Sequence, residues 1–175
     1  GGTGTRMNNT VPKQFLLLQG KPVLYYTINS FLKAYDDMHI ILVLPEEHVA
    51  AGQKIIDAFF DYNRYEITIR GRTRIHSFKN GLLCIREDGI MILHDAVRCL
   101  VGVALIHRCY NAAIENGSAI PVIDSKDSLR LLTPDGNEAL ERNAVKLVQT
   151  PQTFHSKILL PAYQIDYKDK FTDEA

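Results

Sequence analysis

The sequence predicts an α/β fold in which a mainly parallel sheet lies between layers of helix, and three observations carry that reading. Short aliphatic runs, IILVL at 40–44 foremost, have the length and unbroken apolar character of strands buried on both faces. Between them lie segments whose apolar residues recur at helical spacing, so strand and helix alternate. Right-handed crossovers turn that alternation into a parallel sheet with helices on both faces. The third observation is size: 175 residues, 46% of them hydrophobic, suffice for the core of one ordinary domain.

Each element follows from its own pattern. Leu24, Ile28, Phe31 and Tyr35 form a helical stripe over about 22–35, with Pro22 suited to the first turn. HIILVL is a buried strand that ends at Pro45, and a helix occupies 46–60. EITI at 66–69 is a short strand, after which Ile75, Phe78, Leu82 and Ile85 mark a helix starting just past Gly71. GIMILHDA supplies a strand at 90–94, followed by a helix through Ile106, Cys109 and Ala113 and a strand in SAIPVI. LTPDGNEALERN reads as a turn with a polar excursion, and VKLVQT as one more strand. No repeat, linker or low-complexity tract divides the chain, so residues 1–175 are expected to form a single domain.

Composition narrows the function classes. Twenty basic and twenty acidic residues cancel, so overall charge points to neither nucleic acid nor an anionic membrane as partner. The apolar runs are far too short to cross a bilayer. Cys84, Cys99 and Cys109 are odd in number and lack CxxC spacing, as expected of packed thiols in a soluble cytoplasmic protein. No HExxH or Cys/His cluster suggests zinc, and no GxSxG suggests a serine hydrolase.

In a parallel α/β sheet, ligands sit beyond the carboxyl ends of the strands. The loops at 1–13, 70–77, 94–100 and 121–128 are the candidates. Gly1, Gly2 and Gly4 allow backbone amides to approach phosphate oxygens, although the loop matches neither GxxxxGK[ST] nor GxGxxG. Arg6 and Lys13 add a fork of donors and a compact charge suited to a polyphosphate, or are solvated surface cations. In RGRTRIHSFKNGL, Gly71 precedes a helix and Ser77 stands in its early turns. There Ser77 either meets a ligand beside the helix start or is an ordinary surface serine. Asp95, at the end of a strand, is placed to hold magnesium beside phosphates or to cap the following turn. Arg98 adds a cation at the same edge or pairs with Asp95.

With these residues in view, the chain resembles the 2-C-methyl-D-erythritol 4-phosphate cytidylyltransferases, within the sugar-nucleotide-transferase-like superfamily. The resemblance runs nearly end to end and rests on GGTGTRM with PKQF, GRTRIHSFKNGL, HDAVRCL, TPQTF at 150–154 and FTDEA at 171–175. It implies a Rossmann-like three-layer sandwich with a mainly parallel central sheet and a small dimerisation arm, for which 130–150 is the natural stretch. The implied reaction joins CTP to a polyol phosphate, releases pyrophosphate and uses Mg2+. Ribitol-5-phosphate is the alternative acceptor. A non-catalytic nucleotide-binding module and a purely structural domain are the competing classes.

Two anions must meet in such a reaction. At 4 Å, unit charges repel by about 4 kcal/mol at an effective dielectric of about 20, so placed cations matter more than any acid or base. The resemblance accordingly assigns Arg6 and Lys13 to the five-coordinate phosphorus, and Gly1, Gly2, Gly71 and Ser77 to CTP. Asp95, Arg98, Arg142, Thr150 and Thr172 go to the acceptor, with Asp95 also beside the metal and Arg142 placed in the catalytic set. A further hydroxyl is Ser128, preferred over Ser125 because DSLR is the better match in IPVIDSKDSLR. A homodimer is implied as well. Two departures stand out: Arg70 where the family often has glycine, and Cys99 where it often has proline. A first strand before Gly1 and a basic segment after Ala175 also belong to the family pattern, so the sequence is expected to be part of a longer protein.

Overall fold

The computed structural model describes residues 11–61 and 63–164. A short 3-10 helix, Lys13–Phe15, leads into a small hairpin of β1 (Leu17–Leu18) and β2 (Lys21–Pro22). Helix α1 (Val23–Ala34) follows directly and buries Leu24, Ile28 and Phe31, the stripe read from the sequence. Strand β3 (Ile40–Leu44) pairs in parallel with β4 (Tyr65–Ile69) across the crossover helix α2 (Val49–Phe59). Beyond β4 come α3 (Arg74–Leu82), β5 (Ile90–Leu93) and α4 (Val103–Asn116). Gly117 ends α4 at φ 85°, the left-handed turn for which glycine carries least strain.

The second half departs from simple alternation. SAIPVI is not one strand but two, β6 (Ser118–Ala119) and β7 (Val122–Asp124), because the chain leaves one sheet at Ile120–Pro121 and enters another. The polar excursion is a hairpin of β8 (Leu129–Thr133) and β9 (Gly136–Leu140), with Pro134 and Asp135 at its tip. β10 (Lys146–Val148) returns antiparallel to β7. β11 (Gln152–His155) and α5 (Ser156–Ala162) close the described chain.

A mainly parallel sheet is not what the described residues form. Among them β3 and β4 make the one parallel pair, whereas β11 lies between β5 and β6 and runs antiparallel to both. The cause is local. QTFH has neither the alternation of a half-buried strand nor an aliphatic run, yet Gln152, Thr153 and Phe154 are all buried between two neighbours.

Helices cover both faces, as the sequence predicts. Leu42 and Leu44 of β3 pack with Leu24 and Ile28 of α1 and Ile55 and Ile56 of α2. Ile92 faces Phe31, Val101 and Ile106, whereas its neighbour Leu93 faces Phe154, Leu159, Phe78 and Leu82 on the other side. That alternation is the strand period at work. Ile106 is fully buried, and truncating such a side chain to alanine costs about 2–5 kcal/mol. Ser156 anchors α5 beneath the sheet: its hydroxyl donates to Asp88 Oδ1 at 2.9 Å and accepts from Gly89 N–H at 3.2 Å. No helix among the described residues is long and apolar enough to cross a membrane.

Candidate active site

The loop between β4 and α3 closes on itself. Ser77 Oγ donates to Thr73 O at 2.9 Å and accepts from Gly71 N–H at 3.1 Å, so this hydroxyl builds the loop. Thr73 is the N-cap, its hydroxyl accepting from His76 N–H at 3.3 Å and lying 2.7 Å from the His76 ring nitrogen Nδ1. Gly71 is required by space: a Cβ there would stand 2.3 Å from His76 Cβ and 2.6 Å from the His76 carbonyl carbon. Thr73 and Ser77 thus take up the His76 and Gly71 amides, whereas the first amides of a helix in general have no partner within it and suit an anion.

The loop after β5 carries the acid and the arginine. Thr27 Oγ1 donates to Ala96 O at 2.7 Å, tying the loop to α1. His94 spans it, with Nε2 3.0 Å from Arg98 O and its ring edge-on to Phe31. Burial lowers the His94 pKa, so the ring is neutral at pH 7 and Nε2 carries the proton donated to that carbonyl. Asp95 then collects two guanidinium groups: Arg74 Nη1 reaches Oδ1 at 3.2 Å and Arg98 Nε reaches Oδ2 at 3.0 Å. Burial pushes this carboxyl up, but the two arginines outweigh it and hold the pKa below the ordinary aspartate value. Arg98 continues through an Nη to Gln149 Oε1 at 2.5 Å. Start of α3, end of β5 and end of β10 are thereby joined through Asp95 and Arg98.

Thr150 follows Gln149, and its Oγ1 is buried with no hydrogen-bond partner among the described residues. A polar atom of that kind in a native fold commonly awaits a water or a ligand. Ser128 and Arg142 come together elsewhere. Both line an open cavity of about 510 Å3 with Leu129, Arg130, Ala139, Leu140 and Asn143. Arg142 also donates to Lys126 O at 3.3 Å. This cavity lies at the Asp124–Lys146 end of the β7–β10 ladder, and Gln149 lies beyond the Val122–Val148 end. Ser125, the alternative hydroxyl, is buried and donates to Asp127 O at 3.1 Å, a bond that closes its own turn.

Lys13 is half-buried in its 3-10 helix and makes no ion pair among the described residues. Two residues on, Phe15 packs against the same core cluster as Ala96, the neighbour of Asp95. Gly1, Gly2, Arg6 and Thr172 lie outside the described residues. Sequence reasoning missed Arg74 and Gln149. Neither carried a signal of its own: Arg74 is one of three arginines in RGRTR, and Gln149 merely precedes Thr150.

Among the described residues no three His, Cys, Asp or Glu side chains assemble into a metal site. In the Arg74, Arg98 and Gln149 cluster, Asp95 is the single carboxylate. Each of its oxygens already pairs with an arginine but keeps a further lone pair. Asp95 is therefore the one member of the cluster with the chemistry of a magnesium ligand, a cation that commonly takes one or two carboxylates and completes its shell with substrate phosphates and water.

Comparison with known proteins decides the family. The family model for 2-C-methyl-D-erythritol 4-phosphate cytidylyltransferase (IspD) matches residues 1–175. The chain belongs to this family. The cytidylyltransferase of Phocaeicola vulgatus is 45% identical over 175 residues, covering 100% of this chain and 80% of that protein. The cytidylyltransferase of Bacteroides thetaiotaomicron is 42% identical over 176 residues, with the same coverage of both. Among solved structures, bifunctional IspDF of Campylobacter jejuni is similar at a TM-score of 0.79 and 29% identity, over 99% of this chain and 43% of that one. The 4-diphosphocytidyl-2C-methyl-D-erythritol synthase of Anaerococcus prevotii has a TM-score of 0.80 over 90% of this chain and 71% of its own; at 23% identity it speaks for the mixed α/β fold of a cytidylyltransferase alone.

Proposed function

We propose that this protein is a cytidylyltransferase that converts CTP and 2-C-methyl-D-erythritol 4-phosphate to CDP-methylerythritol and pyrophosphate, a step of non-mevalonate isoprenoid synthesis. Membership of the family supports the reaction. One geometric observation carries the assignment to this surface: the Asp95 carboxylate binds Arg74 from the glycine-loop helix and Arg98 from the strand-end loop. Two strand-end loops that the sequence marks as anion-binding are therefore one site.

A phosphate oxygen of the acceptor attacks the α phosphorus of CTP, and pyrophosphate leaves; no protein nucleophile takes part. Arg6 and Lys13 stabilise the charge that accumulates on the five-coordinate phosphorus. Gly71, the amides beside it, Gly1 and Gly2 enclose the nucleotide, and Ser77 holds the loop in the required shape. Arg98 and Thr150 meet the acceptor, with Ser128, Arg142 and Thr172 completing its site. Asp95 is the residue that would hold magnesium, which when bound neutralises triphosphate charge.

The β8–β9 hairpin serves as the dimerisation arm in this reading. Leu131 and Leu132 are exposed on it, as are Ile123 and Leu147 at its base, an apolar surface suited to a second copy of the chain. The enzyme works as a single-domain homodimer in the cytoplasm, where its three free thiols stay reduced. Pyrophosphate release from CTP and Mg2+, measured with methylerythritol phosphate, with ribitol-5-phosphate and with neither, tests the assignment. Release with methylerythritol phosphate is expected; release with ribitol-5-phosphate alone would overturn it.

A further inference from the structure

We propose that Gln149 is a positioning residue for Arg98, fixing the guanidinium in the one orientation that offers its remaining donors to the acceptor phosphate. The inference rests on the assignment of Arg98 to the acceptor side. Arg98 is 44% exposed in its side chain, and an arginine with that much freedom ordinarily samples many rotamers. Two partners on different edges restrain it. Nε donates to Asp95 Oδ2 at 3.0 Å and an Nη donates to Gln149 Oε1 at 2.5 Å. With either one missing, the planar group pivots about the other. Asp95 is a shared partner, because its second oxygen is taken by Arg74 at 3.2 Å.

Gln149 is itself held. Its backbone N–H donates to Pro121 O at 2.8 Å, and its Nε2 donates to Leu147 O at 3.4 Å. A carbonyl only accepts, so the amide nitrogen belongs on that side and the amide oxygen faces the guanidinium. The partner is also uncharged. Asp95 already meets two arginines, and a second carboxylate here would cancel the positive potential that attracts a phosphate, whereas an amide orients Arg98 and leaves its charge in place.

The test compares the wild-type full-length enzyme with Gln149→Met, which keeps the shape and removes the acceptor, and Gln149→Glu, which keeps an acceptor and adds a charge. Two readouts are taken. In NMR, the Arg98 Nη–H signals are expected to be separate in wild type and in Gln149→Glu, as for a guanidinium that cannot rotate, and averaged in Gln149→Met. In kinetics, Gln149→Met is expected to raise KM for the acceptor about tenfold, the loss of one hydrogen bond to a charged group, with KM for CTP and Tm unchanged. In an Arg98→Ala background the same substitution should add nothing. Separate Arg98 signals in Gln149→Met, or an equal rise of both KM values, would overturn the inference. If wild type fails to release pyrophosphate, the reaction assignment falls while the NMR comparison still decides the role of Gln149.

Discussion

Arg74 Nη1 lies 3.2 Å from Asp95 Oδ1, an ion pair that fastens the first turn of α3 to the loop beyond β5. With Arg98 on the other oxygen, the carboxylate ties the first turn of α3 to the loop beyond β5, the two sides that the proposed function gives to nucleotide and acceptor. Its folded pKa is depressed, burial being outweighed by the two guanidinium groups. The sign follows from linkage: stabilisation is fully present above the unfolded aspartate pKa of about 3.9 and is lost as pH falls through the lower folded value. Urea unfolding from pH 7 to pH 2 should show wild type losing stability below about pH 4 more steeply than Asp95→Asn. Parallel curves for the two proteins would deny Asp95 this role.

Gly71→Ala should destabilise the protein by about 1–3 kcal/mol, the usual cost of forcing atoms into filled space. The added methyl meets His76 Cβ and backbone, which cannot move without unwinding the start of α3. Gly89→Ala is the control, since a Cβ there has nothing within 4 Å. Thermal melts of both variants check the contrast, and CTP titration should show weaker binding for Gly71→Ala alone.

Leu132→Asp, on the exposed hairpin, should shift the protein toward monomer in sedimentation velocity without lowering the far-UV helix signal. Leu132 is 82% exposed in the single chain, so a charge there costs folding little and a dimer contact much. An unchanged sedimentation coefficient would remove β8–β9 as the dimer arm.

The helices and β3 were legible because a 3.6-residue stripe and an unbroken aliphatic run are both local signals. β11 was not, since its burial comes from neighbours 30 or more positions away, on β5 and β6. No local pattern in QTFH reports that. The hairpin was hidden by polarity: Leu129–Leu140 carries charges and a proline turn and has no core to face. At the site, Asp95 and Arg98 were legible as a strand end, and Gly71 as a helix approach. Arg142 and Thr172 came from resemblance alone. Arg74 and Gln149 act through side chains that meet only when three loops fold together, and nothing in their local sequence announces it.

If cations from separate loops meet one triphosphate, removing either cation must cost turnover. Lys13 makes no ion pair among the described residues, so Lys13→Ala should fold as wild type does. The decisive measurement is kcat for pyrophosphate release with CTP, Mg2+ and methylerythritol phosphate, in wild type, Lys13→Ala and Arg6→Ala. A fall of about a hundredfold or more is expected in each variant, the usual loss when a preorganised charge-stabilising donor is removed, at unchanged Tm. Wild-type turnover in either variant would contradict it.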